Sequence, residues 1–435
     1  MNTLGWLGIL RLGLVQTALG SIVVLTTSAI NRVMVVELAL PATIPGLLVG
    51  LHYAVQLSRP AMGFGSDAGG RRTPWILGGM VVLCMGGIGA AAATALLAES
   101  RVAGLALATL AFILIGFGVA ATGTSLLALL ATRVAPRRRA PAATIVWLMM
   151  IAGFVVTTAV GGRFLDPYSP ERLLAVTLTI AGIALTVTVL ALIGMEKRGA
   201  AFIAEEKPQG SFRDALAAIW DEPPARRFTI FVFVSMLAYS AQDLILEPFG
   251  GQVFGMTLGE TTKLASLQHM GVFVGMILAA LAGGIGNGRF GSLRAWMIGG
   301  CLASAAALAA LASAGAVGPG FPLRTAYVAL GLANGAFAAA AIASMMQLAG
   351  EGRDRRAGLR VGLWGAAQAI AFGLGGLAGA AASDLARSLI ASPGAAYGTV
   401  FAAEAVLFLV SAVLAARIAA RPATDFPPNL VLSRS

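Results

Sequence analysis

Long apolar runs, separated by short charged or Gly/Pro-bearing breaks, recur along the whole chain, and nothing else in the sequence limits the possible fold so strongly. Six runs are read at 12 to 38, 43 to 65, 74 to 98, 103 to 131, 140 to 162 and 170 to 195. Six more follow at 228 to 249, 263 to 285, 295 to 315, 323 to 349, 357 to 383 and 395 to 417. Each holds roughly 20 to 29 residues, enough to cross a hydrocarbon core of about 30 Å at about 1.5 Å per residue. Helices pair their own backbone groups, so they can do this in lipid. A water-soluble globule of 435 residues that is 58% hydrophobic and 11% charged would expose too much apolar surface. The expected fold is an all-α membrane protein with twelve transmembrane helices.

An even number of spans leaves both termini on one side. Most of the 30 Lys and Arg fall there, among them Arg11, Arg71, Arg72, Arg133, Arg137, Arg138, Arg139, Arg353, Arg355 and Arg356. That side is expected to be cytoplasmic. The net charge of +11 is then a matter of topology and needs no nucleic acid. Met1 to Leu10 carries no basic residue and no small-residue cleavage site follows, so a cleaved signal peptide is not expected. Cys84 and Cys301 both lie mid-span and supply neither a disulfide framework nor a thiolate metal site.

The two sets of six runs repeat. Gly63-Phe64-Gly65-Ser66-Asp67-Ala68-Gly69-Gly70-Arg71-Arg72-Thr73-Pro74-Trp75 closes span two and opens span three, and the stretch from Gly284 to Trp296 does the same for spans eight and nine. Gly63 corresponds to Gly284, an offset of 221 residues, and Gly78-Gly79 with Gly299-Gly300 extends the match. The expected division is a first bundle at 1–195, a linker at 196–227, a second bundle at 228–417 and a tail at 418–435. In the linker, Phe212, Leu216, Ile219 and Trp220 recur at helical spacing and predict a short amphipathic surface helix.

The loop between spans two and three resembles the G-x-x-x-D-x-x-G-R-R/K signature of the major facilitator superfamily. The resemblance implies two pseudo-symmetric six-helix bundles around a central cavity. It also implies a cytoplasmic gate, in which Asp67 accepts bonds from a helix N-terminus and Arg71 and Arg72 grip carbonyls or lipid phosphate. The second copy has Gly288 at the place of Asp67, so the latch is expected to be asymmetric; alternatively Arg71 and Arg72 are only positive-inside anchors.

A charge inside the membrane costs at least about 2.5 kcal/mol on insertion scales and usually marks a functional interior. Span one ends Asn31-Arg32-Val33-Met34-Val35-Val36-Glu37, and span seven ends Gln242-Asp243-Leu244-Ile245-Leu246-Glu247-Pro248. Five residues of α-helix separate Arg32 from Glu37 by about 140°, so they are not expected to pair. Arg32 is expected to meet Asp243 or Glu247, with Asn31 and Gln242 completing a polar rim or latch on the far side; otherwise Arg32 snorkels to the far interface. His52 and His269 sit in spans two and eight at nearly equivalent places. A neutral imidazole there can give one axial ligand to a metal such as the magnesium of a chlorin ring, or simply be a hydrogen-bonded helix residue. Glu404, in span twelve, has no evident partner.

Ile30 to Leu38, Leu51 to Pro60 with the Ser66 to Ile76 loop, Gln242 to Pro248, and Gly362-Leu363-Trp364-Gly365-Ala366-Ala367-Gln368-Ala369-Ile370-Ala371-Phe372-Gly373 together resemble the PucC/LhaA family, a bacteriochlorophyll-linked branch of the same superfamily. The likeness spans nearly the full chain. It implies an assembly factor for light-harvesting antenna complexes that binds bacteriochlorophyll, without a free metal ion, or chaperones the antenna α and β polypeptides. One subgroup is tied to bacteriochlorophyll synthesis, which makes bacteriochlorophyll synthase a second expected partner. Pigment-binding candidates are His52, His269, Gln368 and Trp364.

Spans four, five and ten carry no charge away from their edges, so an apolar cavity for a large apolar ligand is expected. The alternative is a secondary transporter of an amphipathic or tetrapyrrole-like solute. No paired carboxylates, Cys/His nucleophile or G-x-x-x-x-G-K-S/T loop is evident, and the Gly-rich loops do not follow strands, so the chain is not expected to be an enzyme.

Overall fold

The computed structural model describes residues 4–59, 62, 71–196, 220–284, 292–350 and 357–418. Asp67, the second Gly-rich loop beyond Gly284, the predicted amphipathic helix up to Ile219 and the tail beyond Ile418 lie outside the described residues. The first half contains α1 (Trp6–Leu25), α2 (Thr43–Val55), α3 (Thr73–Glu99), α4 (Arg101–Arg133), α5 (Pro136–Phe164) and α6 (Pro170–Leu192). The second contains α7 (Pro223–Asp243), α8 (Leu246–Phe254), α9 (Leu258–Gly284), α10 (Leu293–Val317), α11 (Leu323–Gly350), α12 (Ala357–Leu389) and α13 (Pro393–Arg417). Helices α7 and α8 form one broken span. Eleven spans among the described residues are long and apolar enough to cross a membrane, and α2 is the shorter twelfth.

Helix starts follow local chemistry. Ser100, Ser169, Ser292 and Ser392 each accept an N–H from three residues on, and Pro170 and Pro393 follow their caps in the first turn, where no N–H is needed. Intramembrane hydroxyls such as Thr177, Thr188 and Thr229 bond back to carbonyls four residues earlier, which keeps these groups from standing bare in lipid. Helices α9 and α11 cross with backbones nearly touching. A β-carbon at Gly331 would collide with the Gln268 carbonyl, and one at Gly275 with that of Leu332, as in small-residue membrane crossings.

Each half has its own core. One gathers Ile9, Leu83, Phe112, Leu129 and Leu173; the other gathers Phe228, Phe249, Tyr327, Phe337 and Phe401. The N–H of Leu4 bonds the Arg133 carbonyl, so the chain start and the end of α4 share what is here called the near face.

On the opposite, far face two aspartates join the halves. Asp384, near the end of α12, accepts the N–H groups of Ala42 (2.8 Å) and Thr43 (2.7 Å) and the Thr43 hydroxyl (2.6 Å), capping α2 of the other half. Asp166, just after α5, accepts the Gly259 N–H (2.8 Å) and the Thr257 hydroxyl (2.8 Å), capping α9. A capping box completes that start: Thr257 N–H bonds Glu260 (2.9 Å) and Glu260 N–H bonds Thr257 (3.2 Å). The two clasps are pseudo-symmetric equivalents, each joining the end of one span to the start of a span in the other half.

Losing a cap costs about 1 kcal/mol, so the double variant Asp166→Ala/Asp384→Ala is expected to loosen the far face without unfolding the bundles. With Cys84→Ala and Cys301→Ala as background, a cysteine placed at Ser28 should react several-fold faster with a membrane-impermeant maleimide offered from the far side. An unchanged labelling rate would show that the clasps do not hold this face shut.

Candidate functional site

Between the halves lies a central cavity of about 310 Å³, within the usual range for a ligand site. Its floor, toward the far face, is formed by Ser28, Glu247 and Tyr327; Arg59 stands toward the near face, at the other end of α2. Ser28 donates to the Glu247 carboxylate across the two halves, and Thr262 donates to the other oxygen (3.4 Å). The Tyr327 hydroxyl donates to the Leu246 carbonyl (2.6 Å). Aromatic rings supply flat walls: Tyr53 stacks on Phe372 at 5.7 Å, Tyr239 meets Phe372 edge-on at 5.8 Å, and Trp147 and Phe154 also line the space.

The expected rim residues divide between two places. Asn31 and Arg32 belong to the far-face seal: Asn31 donates to the Leu244 carbonyl (2.8 Å) and Arg32, 2% exposed, to the Met256 carbonyl (2.7 Å). Asp243 and Glu247 instead line the cavity, which corrects the expectation of a wholly apolar interior. Gln242 is buried with neither amide atom bonded. Glu404 is likewise buried, and neither of its oxygens has a hydrogen-bond partner.

The Arg32 pairing is corrected as well. Arg32 forms an ion pair with Glu37, not with Asp243 or Glu247. The end of span one leaves α-helical geometry for two π-helical turns, Thr26–Ile30 and Val33–Glu37, and Leu38 N–H bonds the Val33 carbonyl five residues back at 3.0 Å. In that i to i+5 geometry, residues five apart come onto nearly the same face.

Both histidines and Gln368 line the cavity, but the histidines are not equivalent. Arg59 donates to Gln56 Oε1, which turns the amide nitrogen toward His52 Nε2 at 2.9 Å. His52 Nε2 is therefore the acceptor, its lone pair is in use, and Nδ1 carries the proton in a buried, unbonded position. His269, half-buried and edge-on to Phe154 at 5.2 Å, has its Nδ1 buried without a hydrogen-bond partner. Its Nε2 is the ring nitrogen left to the cavity. Trp364 stands outside the lining: its indole N–H bonds Thr229 (3.0 Å) and its ring packs on Phe228, in the second core.

At the near face, Glu196 caps α3, accepting the Arg72 N–H (2.9 Å) and Thr73 N–H (2.7 Å), while the buried Arg72 side chain reaches Thr132 (3.2 Å). Arg71 is half-buried beside it. Sequence reasoning does not single out Tyr53, Gln56, Arg59, Tyr239, Asp166, Asp384 or Glu196 for these places. The Thr257 to Glu260 capping box is the one signal there to be read.

This architecture of two six-span halves around one cavity is the major facilitator fold. Among solved structures, a bacterial homologue of the human lysosomal transporter Spinster, inward-facing and unoccupied, superimposes with a TM-score of 0.68 at 18% identity, covering 94% of this chain and 95% of its own. A peptide transporter POT in complex with sulfate gives 0.69 at 14% identity over 96% and 97%. The family described as PUCC protein matches residues 29–423, and the chain belongs to that family. A Rhodobacter capsulatus protein named "Bacteriochlorophyll synthase 44.5 kDa chain" is 53% identical over 98% of both chains. "Protein PucC" of the same organism is 32% identical over 94% of this chain and 91% of its own. The first of these names corrects the expectation that the chain is not an enzyme, because a relative aligned over 98% of both chains carries an enzyme's name.

Truncating one member of a buried pair leaves the other charge uncompensated. Glu37→Ala is expected to cost about 3 kcal/mol, the low end for such pairs because Glu37 is 32% exposed. Its thermal midpoint in detergent should fall clearly, and Arg32→Met/Glu37→Met should recover most of the loss. An unchanged midpoint in Glu37→Ala would show that Arg32 is held by Met256 alone.

Proposed function

We propose that this protein binds bacteriochlorophyll in its central cavity and supplies it to the enzyme that makes the pigment or to the antenna α and β polypeptides it helps assemble. One observation carries this reading: a cavity with flat aromatic walls, sealed at the far face, into which His269 presents a free Nε2. When bound, the pigment supplies the magnesium and the light absorption. The chain would hold it with a nitrogen ligand from His269, the stacking faces of Tyr53 and Phe372, and amide groups from Gln268 and Gln368 for polar substituents. The names of the relatives, bacteriochlorophyll synthase chain and PucC, agree with such a role in a photosynthetic membrane. With the basic near face in the cytoplasm, the far-face seal would lie on the opposite side of the membrane.

The paired far-face clasps favour a second reading, in which the same cavity moves its ligand across the bilayer by alternating access. Flux into sealed vesicles would distinguish it from binding without transport.

Purified in mild detergent from a pigment-producing host, the wild-type protein is expected to carry pigment with the absorption of axially ligated magnesium. His269→Ala should reduce retained pigment about tenfold or more and shift its visible bands. His52→Ala should keep the ligation spectrum, since its lone pair is already engaged. Ligation that survives in His269→Ala but not in His52→Ala would reverse the assignment, and absence of pigment in every form would remove the reading.

A further inference from the structure

Arg59 is the only Lys or Arg among the described residues that line the cavity. It stands exposed there, on the turn that continues α2. It is not left to wander. Gln56 accepts from one guanidinium nitrogen and is itself fixed by His52, so a chain of three side chains, each about one turn from the next, aims the cation. The two carboxyl groups of the cavity, Asp243 and Glu247, belong to the other half of the molecule. Glu247 is engaged at the floor by Ser28 and Thr262.

Along the α2 axis Arg59 lies seven residues beyond His52, about 10 Å at 1.5 Å per residue. The cavity thus has a cation toward its near-face end, aromatic faces at mid-depth and the Glu247 carboxyl at its floor. A neutral apolar ligand would gain nothing from the cation, whose desolvation it would have to offset. An oxyanion at the ligand's edge would gain a charge-assisted, bidentate contact.

We infer that Arg59, oriented by Gln56 and His52, is an oxyanion-recognition site, and that the ligand class is an amphiphile with a flat apolar body and one free carboxylate or phosphate at its edge. Resting on the pigment reading above, this specifies a magnesium tetrapyrrole with its carboxylate side chain free, in preference to the same ring with that group esterified. His52 is then a positioning residue that acts through Gln56. A membrane phospholipid offers the same chemistry through its phosphate.

Full-length protein in neutral-lipid nanodiscs would be titrated, by absorption, with a magnesium tetrapyrrole acid and with its methyl ester. The acid is expected to bind about tenfold more tightly than the ester, as a charged hydrogen bond gives. Arg59→Gln should weaken the acid to the level of the ester while leaving the ester's affinity and the thermal midpoint unchanged, and Arg59→Lys should keep part of the preference. An anionic phospholipid that displaces the acid but not the ester would identify headgroups as a second source of the same oxyanion. Equal affinity for acid and ester in the wild type, or an acid preference that persists in Arg59→Gln, would overturn the inference and leave pigment binding intact. Failure of both tetrapyrroles to bind would overturn both.

Discussion

The first N–H groups of α2 and α9 begin at the far face, between the two halves, where they need acceptors. Asp384 and Asp166 are those acceptors, and each comes from the opposite half. The clasp is therefore a local requirement of helix capping and a long-range tie at once. In a dry interface an unpaired backbone donor costs several kcal/mol, whereas in water the cost of losing a cap falls to about 1 kcal/mol. Both clasps lie where their partners are already partly exposed, so water can take over the freed donors as the halves part at this face. A seal made of caps couples opening to hydration, which a purely apolar seal would resist.

The same logic explains how polar groups are distributed. Arg32 is engaged at the seal, by Glu37 and the Met256 carbonyl. Asn31 is engaged by Leu244. What remains for a ligand is arranged along the cavity axis, with Arg59 toward the near-face end and Glu247 at the floor. His52 and His269 both line the cavity, one from each half, yet their neighbours differ: Gln56 follows His52 by one turn, while Lys263 to Ser266 precedes His269 with no side-chain partner for its ring. The fold is symmetric and the site is not.

Much of the architecture is legible in the sequence because membrane insertion imposes a period and a length that composition cannot hide. The span boundaries follow from that, whereas Asp243 and Glu247, expected at a far-side rim, line the cavity instead. The Arg32–Glu37 pair escapes such a reading because rotation per residue is taken from the α-helix, and nothing in Val33-Met34-Val35-Val36 announces a π turn. Asp166 and Asp384 escape it because they stand near span ends, where an acid reads as ordinary solvation. Their partners lie 93 and 342 residues away in the chain. Trp364 falls in with the ligand site by its neighbourhood in sequence, but an indole on a helix also serves a core, and its bond to Thr229 holds it there.

Retention of an oily ligand in such a cavity is a different problem from retention in a soluble protein. Burying some 400 Å² of apolar surface from water is worth about 10 kcal/mol at about 25 cal/mol per Å², so release into water is closed off. Release into the bilayer forfeits almost none of this, because lipid chains are as apolar as the aromatic walls. Apolar fit therefore cannot decide whether the ligand stays, and the decision passes to the few contacts that lipid cannot imitate. In the reading proposed above, a nitrogen ligand from His269 and the oriented cation at Arg59 would be contacts of that kind. A partner that offers its own axial donor, or a reaction that removes the ligand's charge, would weaken one of the two and free the ligand into the membrane plane, where a membrane-bound enzyme or an antenna polypeptide could take it.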